Sequence, residues 1–222
     1  MKAIFQTTLW RGTTLVLLAT AVATLGSPLV GRLGYEFCLV LTIPASLLGV
    51  LVGAQTQLPA GTAPVAVVRA LLAQVLPPLF MAFAIGVAAG LLRPLCEPVA
   101  GATWFFLLPL SSALLFSVTA HVTASLWESQ RASVWFHVFL GLLSVLFAAL
   151  RAADGPVLTS FSHFFGYVPG PIYEDVLAIP RALWMLRLLS LAFACTALAA
   201  LVAMSRGVKR RVVYSATGLV LA

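Results

Sequence analysis

The sequence predicts an all-α bundle of membrane-spanning helices. Three observations carry this: the composition, six apolar runs of about spanning length, and charged residues gathered between the runs. Of 222 residues, 62% are hydrophobic and 9% are charged, against about 45–50% and about 25% in soluble domains. A soluble chain of this size needs more polar surface than that to cover its core; lipid removes the need. The formal charge is +7, but the basic residues stand mostly singly between apolar runs. They do not form the clustered face that nucleic-acid binding requires, and no nucleic-acid partner is expected.

A spanning helix needs about 20 mainly apolar residues, because the hydrocarbon core is about 30 Å thick. The six runs are 12–31, 37–58, 70–92, 102–126, 132–150 and 183–204. Arg11 and Arg32 bracket the first, Glu36 opens the second, Arg69 and Arg93 flank the third, and Arg151 closes the fifth. Pro44, Pro77, Pro78 and Pro109 lie inside runs. Each removes a backbone hydrogen bond and is expected to kink its helix, which membrane helices tolerate when neighbours satisfy the freed carbonyls.

Six spans place both termini on one side. That side collects Lys2, Arg11, Arg69, Arg131, Arg206, Lys209, Arg210 and Arg211. The other holds Arg32, Arg93, Arg151, Arg181 and Arg187, the last read as snorkelling from the start of the sixth span. The imbalance orients the termini towards the cytoplasm. Of the acids, only Glu128 falls on the terminal side. The preference for Arg over Lys, with abundant Ala and Leu, suggests a GC-rich bacterial genome, and hence a multi-pass protein of the bacterial inner membrane with lipid as its first partner.

Ala21-Val22-Ala23 follows two basic residues in the pattern of a cleavable signal peptide, but the apolar stretch runs on to Val30, which suits an uncleaved anchor. Residues 212–222 are apolar and too short to span, and read as the start of a seventh helix or a surface-lying tail. The chain is treated as one membrane domain over 1–222. Cys38, Cys96 and Cys195 form no CxxC, so redox and zinc-ribbon readings have no support. Cys38 and Cys96 fall on the same side and are a candidate disulfide; Cys195 is expected to be a free, packed thiol.

Two regions could carry function. The first is the long loop 151–182. Its segment 161–175 contains His163, Gly166, Tyr167, Pro169, Gly170, Pro171, Tyr173, Glu174 and Asp175. Pro and Gly oppose a regular helix through its centre. Five aromatic residues within 13 positions would form an apolar patch if left in water, so the loop is expected to be ordered and packed on the helix ends. One reading is an interfacial anchor and the other a gate or binding loop. Gly166 and Gly170 are expected to supply backbone angles that a side chain forbids. Glu174-Asp175 suits a solvated helix start or a site for a cation or basic partner.

The second region is a histidine pair. His121 and His137 each lie eight residues from Ser129 and so sit at matched depth in adjacent antiparallel helices. They suit a metal, haem or proton-relay site; the plainer alternative is that each bonds a neighbouring backbone or hydroxyl group. No third strong ligand accompanies them, and no cofactor is expected. HExxH, GxSxG and the Walker pattern are all missing, so any transport would draw on a gradient or on a separate ATPase or other transporter subunit.

The string Phe164-Phe165-Gly166-Tyr167-Val168-Pro169-Gly170-Pro171-Ile172-Tyr173-Glu174-Asp175 resembles a segment of uncharacterised bacterial multi-spanning proteins with permease-like regions, some continuing into a peptidase-like domain. The resemblance covers a dozen residues and implies a permease-like role. It brings no catalytic residue, and a peptidase-like domain would lie beyond Ala222. The sequence thus leaves three readings: a permease-like subunit, a membrane redox or metal-binding subunit using His121 and His137, and an anchor for a following domain.

Overall fold

The computed structural model describes residues 2–27, 33–56, 62–92, 98–153, 159–162, 166–169 and 179–205. They form helices α1 (Lys2–Thr24), α2 (Tyr35–Gln55), α3 (Pro64–Leu92), α4 (Pro98–Phe105), α5 (Ser111–Trp127), α6 (Gln130–Ala153) and α7 (Arg181–Ser205). A π-helical turn, Phe106–Leu110, joins α4 to α5. A short hairpin, β1 (Thr159–Ser162) and β2 (Gly166–Pro169), lies between α6 and α7.

Among the described residues, five helices are long and apolar enough to cross a membrane: α2, α3, α4 continued through the π turn into α5, α6 and α7. These are the helices of an integral membrane protein. The expected first span, 12–31, is occupied by α1 with shifted bounds. Its helix starts at Lys2 and ends at Thr24, with Gly26 in the turn that follows and Arg11 within the helix. Its early part is tied down: Trp10 Nε1 donates to the Gln74 carbonyl of α3 over 3.2 Å. Segment 212–222 and Cys96 lie outside the described residues.

The other helices begin and end within a few residues of the sequence expectation, with one recurrent shift. α3 and α4 open on Pro64 and Pro98, several residues before the apolar runs begin. Proline fits the first helical position because its missing N–H has no intrahelical partner there. The α5–α6 turn is capped at both ends. Glu128 takes the left-handed conformation (φ 55°) in which helices often stop, and the Ser129 hydroxyl accepts the Ala132 amide at 3.3 Å.

α2 is the centre of the bundle. In its most apolar 18-residue stretch 72% of residues are buried, against 11% in that of α6. It packs on α1, α3 and, most extensively, α5. The α2–α5 seam is made of small residues. A Cβ on Gly49 would lie 2.2 Å from the Ala113 carbonyl oxygen, and one on Gly53 would lie 2.1 Å from that of Ser117. Lipid provides no hydrophobic drive between helices, so close backbone approach through a Gly-xxx-Gly pair supplies the packing energy instead. Val50, Ala54, Phe116, Ala120 and Ala124 continue the seam. The main core surrounds Phe37, Leu41, Leu48, Phe105 and Leu108, with Tyr35 set edge-on to Trp104 at 5.1 Å.

α6 is peripheral. Trp135, Phe139, Leu142, Leu146 and Leu150 recur at helical spacing and are more than half exposed. An apolar stripe of this kind suits contact with lipid tails.

Candidate functional site

Among the described helices, a π turn interrupts the first half of the 30-residue helix Pro98–Trp127. Pro109 lies inside it and contributes no amide proton. At its end the Ser111 amide bonds the carbonyls of Phe106 and Leu108 and passes over that of Leu107. The Leu107 carbonyl is satisfied from elsewhere. The Ser111 hydroxyl donates to it at 2.5 Å, and Arg187 Nε donates from α7, also at 2.5 Å. Arg187 Nη2 donates to the Ser112 hydroxyl at 3.0 Å.

Arg187 is therefore not a snorkelling residue. It is 7% exposed. It sits six residues into α7, about 9 Å from the helix start at 1.5 Å per residue, and its side chain runs inward to the interrupted helix. An ionisable group buried among spanning helices marks a functional site by default, and π turns are frequent at such sites.

The hairpin covers this arrangement. Gly166 is buried and has φ +84°, as its expected role requires. A Cβ there would lie 2.6 Å from Arg187 Nη2 and 2.4 Å from Leu108 Cδ2. The first strand of the hairpin is tied to α6 by a 2.7 Å hydrogen bond between the Ser162 and Ser144 hydroxyls. The loop thus contributes an antiparallel pair, with Phe161 opposite Tyr167 and Thr159 opposite Pro169. This two-stranded element is an addition to the all-α expectation. Of the other loop candidates, Tyr167 and Pro169 belong to β2, whereas His163, Gly170, Pro171, Tyr173, Glu174 and Asp175 lie outside the described residues.

The two histidines lie on opposite sides of α5. His121 faces α2, where the backbone of Gly53 and Thr56 lies beside its ring. His137 projects from α6 towards Thr119 of α5. Positions 119 and 121 are about 200° apart around a helix, so α5 separates the two rings despite their matched depth. His137 is fully engaged: Nδ1 donates to the Ser133 carbonyl at 2.8 Å, and Nε2 meets the Thr119 hydroxyl at 3.1 Å. A carbonyl only accepts, so Nδ1 carries the proton, while the Thr119 hydroxyl at Nε2 also lies 2.9 Å from the Leu115 carbonyl. Ser133 extends this polar seam, meeting the Thr123 hydroxyl at 2.6 Å and the Ala120 carbonyl at 2.9 Å. His121 Nδ1, by contrast, is buried with no hydrogen-bond partner among the described residues.

No group of three or more His, Cys, Asp or Glu residues suited to a metal occurs among the described residues. Cys38 is a free thiol directed at the Gly101 carbonyl, 3.9 Å away, and not a disulfide half. Cys195 is free as expected but exposed instead of packed.

Sequence reasoning missed two parts of this arrangement. The Gly49-xxx-Gly53 pair carries a recognisable signal, a small-residue repeat within an apolar run. The partnership of Arg187 with the π turn carries none, because it joins positions 80 residues apart. None of the family models, curated proteins or solved structures compared with the chain matches it.

Proposed function

We propose that this chain is a permease-like subunit of a bacterial transport or export system, seated in the inner membrane with both termini cytoplasmic. The observation that carries the reading is the interrupted helix at Phe106–Leu110, whose skipped carbonyl is held by Arg187 of α7 beside Gly166 of β2. Transporters commonly build sites where a spanning helix is broken and its backbone groups turn to other partners. Irregular backbone is tolerated at membrane depth only when protein or a water-filled cavity surrounds it. The hairpin then acts as the gate over that point. The sequence resemblance to permease-like regions leans the same way. With no nucleotide-binding motif in this chain, the energy comes from a gradient or a separate ATPase subunit.

The redox reading is less well supported, because both ring nitrogens of His137 are committed to structural bonds and α5 divides the two histidines. The anchor reading differs in a measurable way. In a chain with its native cysteines replaced, Leu108→Cys beside Gly166 should react with a small membrane-impermeant thiol reagent from one side only. Adding Gly166→Val, which displaces the hairpin, should raise the rate while leaving expression intact. A simple anchor predicts no reaction in either chain. Recovery of a bound ATPase on gentle solubilisation would separately identify the energy source.

A further inference from the structure

His121 occupies an unusual position for a titratable group. It lies at the end of the tightest contact in the bundle, where a Cβ on Gly53 would approach the Ser117 carbonyl oxygen to 2.1 Å and the His121 amide nitrogen to 3.0 Å. Its side chain is 4% exposed. The C-terminal backbone of α2, at Gly53 and Thr56, lies against the ring, and Nδ1 has no partner among the described residues. α2 ends just beyond, at Gln55, so its last carbonyls are those a helix leaves without intrahelical partners.

We infer that His121 is a proton-binding residue whose protonation loosens the lower α2–α5 seam around Gly53. The inference does not rest on the permease reading. A neutral imidazole fits the closed seam, with its proton on Nε2 and a bare lone pair on Nδ1. Taking up a proton makes Nδ1 a donor and the ring a cation. In the closed seam that donor has no acceptor and the charge is desolvated, both unfavourable. The carbonyl end of α2 at Gly53 and Thr56 already lies against the ring, so the gain on parting comes from water, which reaches Nδ1 and solvates the charge. The proton therefore binds the parted arrangement better, and acid shifts the population towards it.

The surrounding charges do not offer a competing switch. The ionisable side chains of α2, Tyr35, Glu36 and Cys38, are at its other end. On α6, His137 has both nitrogens bonded and faces Thr119, and Arg131 is exposed. Glu128 of α5, Arg69 of α3 and Arg11 of α1 are exposed. On α7, Arg187 is bound at the π turn.

Hydrogen exchange of the whole chain in lipid nanodiscs tests this, between about pH 8 and about pH 5, the range over which imidazole titrates. After correction for intrinsic rates, amides of 49–56 and 117–124 should exchange severalfold faster at the acid end. His121→Gln should abolish the response, and His137→Gln should retain it. A response that survives His121→Gln, or that disappears in His137→Gln, overturns the inference. If His121→Gln does not fold, ¹⁵N-histidine NMR of the unmodified chain decides. Nδ1 of His121 must titrate with the same midpoint as the exchange change, and a ring that stays neutral across the range overturns the inference.

Discussion

Helix α5 is held on two sides by different physics. Towards α2 the contact is backbone against backbone, opened by Gly49 and Gly53 and completed by Ala113, Ser117, Ala120 and Ala124. Towards α6 it is side chain against side chain, through Thr119–His137 and Thr123–Ser133. The first seam has no tolerance for added volume. The second consists of hydrogen bonds that a membrane-embedded chain replaces at modest cost, averaging about 0.6 kcal/mol each where measured. The comparison teaches that the polar residues most conspicuous in an apolar sequence need not be those that hold the helices together.

The largest expected effect breaks the first seam. Gly49→Val places a branched side chain against the Ala113 backbone, which cannot move aside as a flexible side chain can. We expect destabilisation at or above the top of the about 1–3 kcal/mol range for overpacking, read as loss of folded protein after solubilisation. Next is Arg187→Met, which strips the Leu107 carbonyl and the Ser112 hydroxyl of a charged donor. The Leu107 carbonyl keeps the Ser111 hydroxyl, so the loss is of hydrogen bonds from a charged donor, each about 1.5–3 kcal/mol, measurable as a lower midpoint in a detergent unfolding titration. If Arg187→Met unfolds no more readily than the parent chain, the π turn is self-sufficient and the hairpin lacks its seat. The smallest effect belongs to the outward stripe of α6. Leu142→Ala, at a position 65% exposed, should shift stability by no more than about 0.5 kcal/mol. A larger loss would show that this stripe packs against another protein chain and not lipid.

Legibility in the sequence follows the same division. Apolar length and bracketing charges mark the long helices, because hydropathy is a local property summed along the chain. The first run has a misplaced boundary: Arg11 reads as its edge, whereas the helix runs through it and Trp10 anchors on Gln74. The loop glycine at 166 is legible in kind: a turn among aromatic residues calls for φ > 0, and it is found at +84°. Its contact with Arg187 is not legible, since no local pattern reports which helix a hairpin meets. Arg187 itself reads as a flank because it lies close to the start of its span. Only the interruption at Pro109, 78 residues earlier, gives it an inward partner. The histidines are conspicuous, and depth arithmetic pairs them; helical rotation, which the eight-residue spacing hides, sets them on opposite sides of α5.

The most direct test of this account compares the two seams of α5 with one small change to each. Gly53→Ala adds a single methyl group to the α2 side, and Thr119→Val removes the hydroxyl that His137 meets on the α6 side. The free energy of unfolding of each variant is measured in the same bicelles. Gly53→Ala should be the more damaging by a clear margin, since its methyl group would meet a main-chain oxygen at 2.1 Å. Thr119→Val should cost about 1 kcal/mol or less. Equal losses, or a greater loss from Thr119→Val, would contradict it and make the side-chain hydrogen bonds the principal fastening of the bundle.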